Sequence, residues 1–349
     1  MALSLAGRLF VSPRELSIML VSIAPPNRTA LHRERRASAD RTWTAAEVES
    51  AMTLHLLHTL LLVATLQESV PEFPAQSEST PVYVTVEPYA GVIDYSNSLK
   101  ESGWLTGIYG SALSGKNKFE LGYEYTELNF RDASRLRQND VTAAYSRFIG
   151  ENYLGRMGAH HTITTDALSD GGTTLFGGVK YYEGLQFDTG VDVYYTRYPD
   201  FLNAPGHSGG LGVWQVSPTV GRSFGDYESS VGSFYGSLGY NYINPSDGAP
   251  AQLRDEYHSV TGLLSNYNGS WTTTLEAWAG RQAFGVRNGG FTVYNLAEEY
   301  HGGTQLSVNY ALGVAASVKG LVSYQRFREP TNPLDSSVVV LGAFFIYSF

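Results

Sequence analysis

Few residues of this 349-residue chain are spaced for covalent chemistry. Gly206-His207-Ser208-Gly209-Gly210 matches G-x-S-x-G, the turn that lifts a nucleophilic serine between a strand and a helix in α/β-hydrolases. Here Pro205 precedes the match and an alternating stretch follows from Leu211, so the helix is missing and a loop is expected. His160-His161 offers two imidazoles, but neighbours on a strand point to opposite faces and do not converge on one ion. Glu298, Glu299 and His301 would make at most a weak surface cation site. Asn268-Gly269-Ser270 is formally a glycosylation sequon and reads better as a tight turn. The glycine run 209–212 lacks the Lys-Ser/Thr and the helix of a phosphate cradle. Zero cysteines exclude disulfides and thiolate chemistry. No catalytic residue, cofactor or metal site is expected, and the chain reads as a non-enzyme.

The elements that would carry any other function show in the composition. Of 45 aromatic residues, 42 lie after residue 75, together with 36 of the 37 glycines. Charged residues make up only 16%, and the net charge of −9 falls wholly in that later part. An acidic chain without a basic stripe is not a nucleic-acid binder. No apolar stretch after residue 76 approaches the roughly 20 residues of a membrane helix. If the chain crosses a membrane, it does so with strands.

Alternation runs from residue 82 to the end. Phe119, Leu121, Tyr123 and Tyr125 share a face opposite Glu120, Gly122, Glu124 and Thr126. Phe187, Val191, Val193 and Tyr195 oppose Asp188, Gly190, Asp192, Tyr194 and Thr196, and Leu275, Ala277 and Ala279 oppose Glu276, Trp278 and Gly280. Short links at 115–118, 150–152, 183–185, 225–228, 268–270 and 313–317 alternate with connections that are on the whole longer, at 96–103, 131–138, 166–172, 199–210, 244–255, 285–290 and 329–335. Turns sorted to one end and loops to the other indicate an up-and-down meander rather than a Greek key. The pattern predicts 14 strands, with 291–312 as one long strand kinked at His301-Gly302-Gly303.

The last strand ends VVVLGAFFIYSF, with Val339, Leu341, Phe345, Tyr347 and Phe349 on one face and an aromatic last residue. It resembles the C-terminal β-signal of bacterial outer-membrane β-barrel proteins. The resemblance covers the architecture of about 76–349 and no particular subfamily. It implies an all-β fold, a closed antiparallel up-and-down transmembrane β-barrel of about 14 strands in the outer membrane of a Gram-negative bacterium. It also implies that the barrel assembly machinery reads Phe345, Tyr347 and Phe349. Tyr181-Tyr182, Tyr194-Tyr195, Tyr240 and Tyr242 then suit girdles at the membrane interfaces.

With apolar faces toward lipid, the inward set includes Glu120, Glu124, Arg156, His160, Lys180, Asp188, Asp192, Glu276 and Lys319. Charges on a barrel wall set ion preference, and five acids against three bases suggest a mild preference for cations. The expected function is porin-like diffusion of small polar solutes or ions. The alternative is a non-conducting barrel that holds a periplasmic or surface protein in its bore or on loops 199–210 and 244–255. Classical porins are trimers with a long constriction loop. No loop here looks long enough to fold inward, which favours a monomeric channel.

Ahead of the barrel, 52–75 reads as a signal peptide with an apolar centre from Leu56 to Leu66. Residues 1–51, Arg-rich at 28–41, are expected to be an over-extended start or a long leader.

Overall fold

The computed structural model describes residues 81–184, 186–199, 210–225, 231–246, 254–295, 298–330, 332 and 334–349. The expected leader and signal peptide, and 206–209 of the G-x-S-x-G match, lie outside them.

Period-two alternation resolves into strands β1 (Val82–Ser96), β2 (Lys100–Ser114), β3 (Asn117–Phe130), β4 (Arg135–Ile149), β5 (Tyr153–Thr164), β6 (Thr173–Glu183) and β7 (Phe187–Tyr198). There follow β8 (Leu211–Gly225), β9 (Ser233–Pro245), β10 (Tyr257–Asn268), β11 (Trp271–Gln282), two short strands β12 (Val286–Arg287) and β13 (Thr292–Val293), then β14 (Glu299–Ala311), β15 (Ala316–Arg328) and β16 (Asp335–Ser348). Consecutive strands pair antiparallel, β11 pairs with β14 past the small β12–β13 hairpin, and β1 pairs with β16. The result is a closed barrel of 14 strands. Closure matters physically because an open sheet edge would leave a row of unpaired backbone groups. The seam runs from Thr85↔Ser348 to Ser96↔Ser337, and the Phe349 amide extends it by donating to the Val84 carbonyl at 2.9 Å.

Both ends of the barrel sequence lie at the short-turn end. Its tight reversals use Gly115 and Gly269, each at φ 57°, because two-residue hairpin turns need positive φ.

One expected element is corrected. The run 291–312 is not a single strand. β14 begins only at Glu299, and the bulge foreseen near 301–303 falls between Tyr300 and Gly302. Thr292 and Val293 are extended as their β-branched side chains favour, but they pair with Arg287 and Val286 rather than with the wall. The chain reverses between them at Asn288, Gly289 and Gly290, all at positive φ (51°, 59° and 94°). The segment 283–295 therefore leaves the long-loop end and turns back into the barrel. This also corrects the expectation that no loop reaches the bore. Strand number is unaffected, since the remainder of the run still supplies one wall strand.

Candidate functional site: the bore and its inner hairpin

The sheet has two chemically different faces. Phe119, Leu121, Tyr123, Val193, Leu275, Val339 and Leu341 are exposed on the outside, whereas Glu120, Glu124, Thr126, Asp188 and Glu276 are buried inside. Paired rings decorate the outer wall near the short-turn end: Phe119–Tyr145, Tyr153–Tyr181, Phe224–Phe234 and Trp271–Tyr310. A second set, including Trp104–Tyr125 and Tyr195–Trp214, stands toward the long-loop end. A closed sheet with an apolar outer band between two aromatic girdles is built to meet hydrocarbon. The chain is a transmembrane β-barrel. Of the girdle tyrosines read from sequence, Tyr182 and Tyr194 instead turn inward, toward Lys180 and Phe176.

Inside, the barrel is apolar toward the long-loop end. Ile93, Tyr95, Leu105, Leu128, Phe130, Tyr300 and Phe327 form one buried cluster, and Tyr198, Leu211, Val213 and Tyr257 belong to another. The inner hairpin seats against these clusters through Phe284 and Tyr294, and against Phe176 and Tyr194 through Val286 and Val293. Each of those hairpin side chains is at most 4% exposed. At roughly 1.5–3 kcal/mol per buried apolar side chain, four of them strongly favour the docked position.

Polar contacts fix the register of docking. Gln215 on β8 accepts from the Val286 amide and donates to its carbonyl, both at 2.7 Å. Arg287 lies 4.4 Å over the Trp278 ring and 3.6 Å from Glu276, and donates to Gln282 at 3.2 Å. At the tip, Gly289 packs on the Arg156 guanidinium, where any Cβ would overlap it, and Gly290 packs likewise on the Phe176 ring. Phe291 meets Tyr109 edge-on at 5.5 Å. Arg156 is thereby flanked by Phe176 and Phe291, at 5.5 and 5.6 Å. At the long-loop rim, Glu298 pairs with the buried Lys100, which also lies 3.9 Å from Glu329. Burial pushes the Glu298 carboxyl up to about 7, against the opposing pull of Lys100.

The structure distributes the inward residues named from sequence around this hairpin. Glu120 accepts from Tyr109 at 2.6 Å and pairs with Lys118 at 3.1 Å and Arg156 at 3.4 Å. Glu124 accepts from Tyr89 at 2.8 Å. His160 is wholly buried between Thr142 at 2.8 Å and Asp140 at 3.1 Å, while His161 points outward to Thr173. Lys180 pairs with Asp188 at 2.7 Å, Lys319 with Glu87 at 3.0 Å, and Glu276 with Arg287. Asp192 fits against Gly178, where a Cβ would collide with its carboxylate. Sequence reasoning missed Glu87, Lys100, Lys118, Asp140 and Arg287. Glu87, Lys118 and Asp140 keep the inward alternation of their strands, so alternation could have found them, whereas Lys100 turns inward only because the register of β2 shifts between Lys100 and Ser102. Arg287 sits on the unforeseen hairpin. Glu298 and Glu299 do not converge: Glu298 is buried, and Glu299 meets His301, Arg254 and Arg281. Among the described residues no group of three metal-ligating side chains is assembled.

The sequence matches no protein-family model and no curated protein. Solved structures do share its shape. The CymD monoaromatic hydrocarbon channel is 8% identical, with a TM-score of 0.49 over 78% of this chain and 89% of that one. The NanC porin is 11% identical, with a TM-score of 0.42 over 74% and 98%. The Pseudomonas putida toluene transporter TodX is 8% identical, with a TM-score of 0.42 over 78% and 90%. At such identities the likeness is one of folded shape, and no residue role is carried across.

Proposed function

We propose that the protein is an outer-membrane channel, not an enzyme, that passes small polar solutes or ions along a bore narrowed by the inner hairpin. The observation that carries this reading is the hairpin itself: a segment from the long-loop end reaches past apolar rungs to Arg156 and Glu120 on the wall. On one side of it stand Lys180, Tyr182 and Asp192, which are charged or hydrogen-bonding and less covered than the residues above, with Asp188 buried against Lys180. Carboxylates outnumber cations along the wall, which supports a mild preference for cations. In this reading Phe345, Tyr347 and Phe349, on the strand that closes the barrel, are the residues offered to the assembly machinery.

The test is conductance. Full-length protein, refolded in detergent and added to a planar bilayer, is expected to give stepwise currents with a reversal potential shifted toward that of the cation. A folded, inserted barrel that passes no current under any applied voltage would replace this reading with the non-conducting barrel that holds a partner.

A further inference from the structure

Two inward side chains of opposite charge in the short-turn half of the bore have unmet hydrogen-bonding capacity. Register places them in one row. Arg156 on β5 faces Gly178 on β6, and Gly178 faces Asp192 on β7. Arg156 and Asp192 therefore stand two strand spacings apart, about 10 Å between backbones, with only a glycine between them. The glycine keeps that interval clear, since a Cβ there would strike both the Asp192 carboxylate and the Val191 carbonyl.

Arg156 is held in place without being satisfied. Phe176 and Phe291 flank its guanidinium, and Gly289 covers part of it. The nearest carboxylate oxygen, on Glu120, stands at 3.4 Å, longer than an ordinary charged hydrogen bond. That carboxylate already accepts from Tyr109 and pairs with Lys118. Among the described residues no Arg156 nitrogen makes a hydrogen bond. Nε is covered, yet the side chain as a whole stays 21% exposed, which leaves the terminal nitrogens in reach of the bore. Asp192 is half-buried, and among the described residues its carboxylate has neither a hydrogen bond nor an ion pair. Other inward acids differ: Asp188 is engaged by Lys180, Glu87 by Lys319, and Glu124 by Tyr89. Arg156 and Asp192 have given up part of their hydration, so opposite charges on a ligand gain more here than in bulk water.

We infer that Arg156 and Asp192 form a subsite for a compact zwitterion of the α-amino-acid class. The ligand carboxylate meets the terminal nitrogens of Arg156, and its ammonium meets Asp192 across Gly178. This subsite deepens the channel reading and rests on its water-filled bore. A lone anion would answer Arg156 and leave Asp192 unmatched, and a lone cation would do the reverse. One small molecule carrying both charges matches both groups and brings no net charge into the bore. The neighbours bound its size. Phe176 and Tyr194, both buried, come next toward the long-loop end, and Lys180, committed to Asp188, comes next toward the turns. The ligand side chain is therefore small.

The test measures equilibrium binding to the full-length folded barrel in detergent with three labelled probes of similar size: L-alanine, propionate and ethylamine. Folding is read by heat-modifiable electrophoretic mobility. Alanine is expected to bind at least about fivefold tighter than either singly charged probe. Asp192→Asn removes a group with no protein partner, so the barrel should fold as before. It should lose most of the alanine margin and weaken ethylamine, while propionate binds as well or better. Arg156→Gln should weaken alanine and propionate and spare ethylamine; if it does not fold, the Asp192 variant still decides. Ser237→Ala, inward on β9 opposite Gly221 and outside the row, should leave the margin unchanged. Equal binding of the three probes, or an intact alanine margin in Asp192→Asn, would overturn the subsite. Flux from proteoliposomes is measured alongside, with glycerol as the neutral reference. A barrel that passes glycerol but shows no alanine preference removes only this subsite. One that passes neither solute removes the channel reading, and binding in detergent then decides the subsite by itself.

Discussion

Gln215 on the wall and Val286 on the inner hairpin are joined as two strands would be, with one amide side chain satisfying both the N–H and the C=O of Val286. This is the most specific attachment of the hairpin to the wall. Gln215→Leu keeps a comparable volume but leaves both backbone groups buried without partners, at about 1–3 kcal/mol each. The docked state should weaken correspondingly. Single-channel recording should show time in a larger-conductance state rising by roughly tenfold or more, as 1.4 kcal/mol per decade requires.

The Glu298 carboxyl gives this attachment a pH dependence. In the docked hairpin burial holds its pKa at about 7, against an ordinary 4.5. Docking is therefore favoured fully below about 4.5, loses ground as pH rises, and has lost this contribution once pH passes about 7. Limited proteolysis of residues 283–298 should accelerate between pH 5 and pH 8 and then level off. Glu298→Gln, which cannot ionise, should flatten that profile.

Facing can be read chemically because the chain has no cysteine of its own. A single thiol at Asp192→Cys should react with a charged, water-soluble methanethiosulfonate and lower the current severalfold. A thiol at Val193→Cys, next in sequence but 37% exposed on the outer wall, should leave the current unchanged.

How much of this was legible beforehand follows from the range of the interactions. The outer face needed only period two: Phe119, Leu121 and Tyr123 announce one side of β3 by local alternation, and Glu120 and Glu124 the other. The count of 14 strands followed from turns such as Gly115-Lys116 and Asn268-Gly269. The hairpin was not legible because its strands are two residues long, too short for any periodicity, and Phe291-Thr292-Val293 continues the β-rich composition of β14. Its docking partners are also remote in sequence: Lys100 and Glu298 are 198 positions apart, and Gln215 and Val286 are 71 apart. Alternation says which face a residue occupies, not which distant segment covers that face.

Phe349 closes the seam through a backbone bond to Val84 and packs against Tyr347 at 4.8 Å. Phe349→Ser keeps that backbone bond and removes only a side chain that is 53% exposed, so it should refold in detergent nearly as well as the parent. In cells, the reading of Phe349 as an assembly signal predicts a severalfold drop in heat-modifiable barrel recovered from outer membranes. Equal recovery in cells would confine Phe349 to the seam.

The most direct measurement compares single-channel conductance of the full-length barrel with a variant in which residues 285–294 are replaced by a short Gly-Ser link. If the inner hairpin narrows a conducting bore, the parent gives small cation-preferring steps and the variant gives steps several times larger, with both barrels equally folded. Equal conductance in the two, or silence in both, would contradict it.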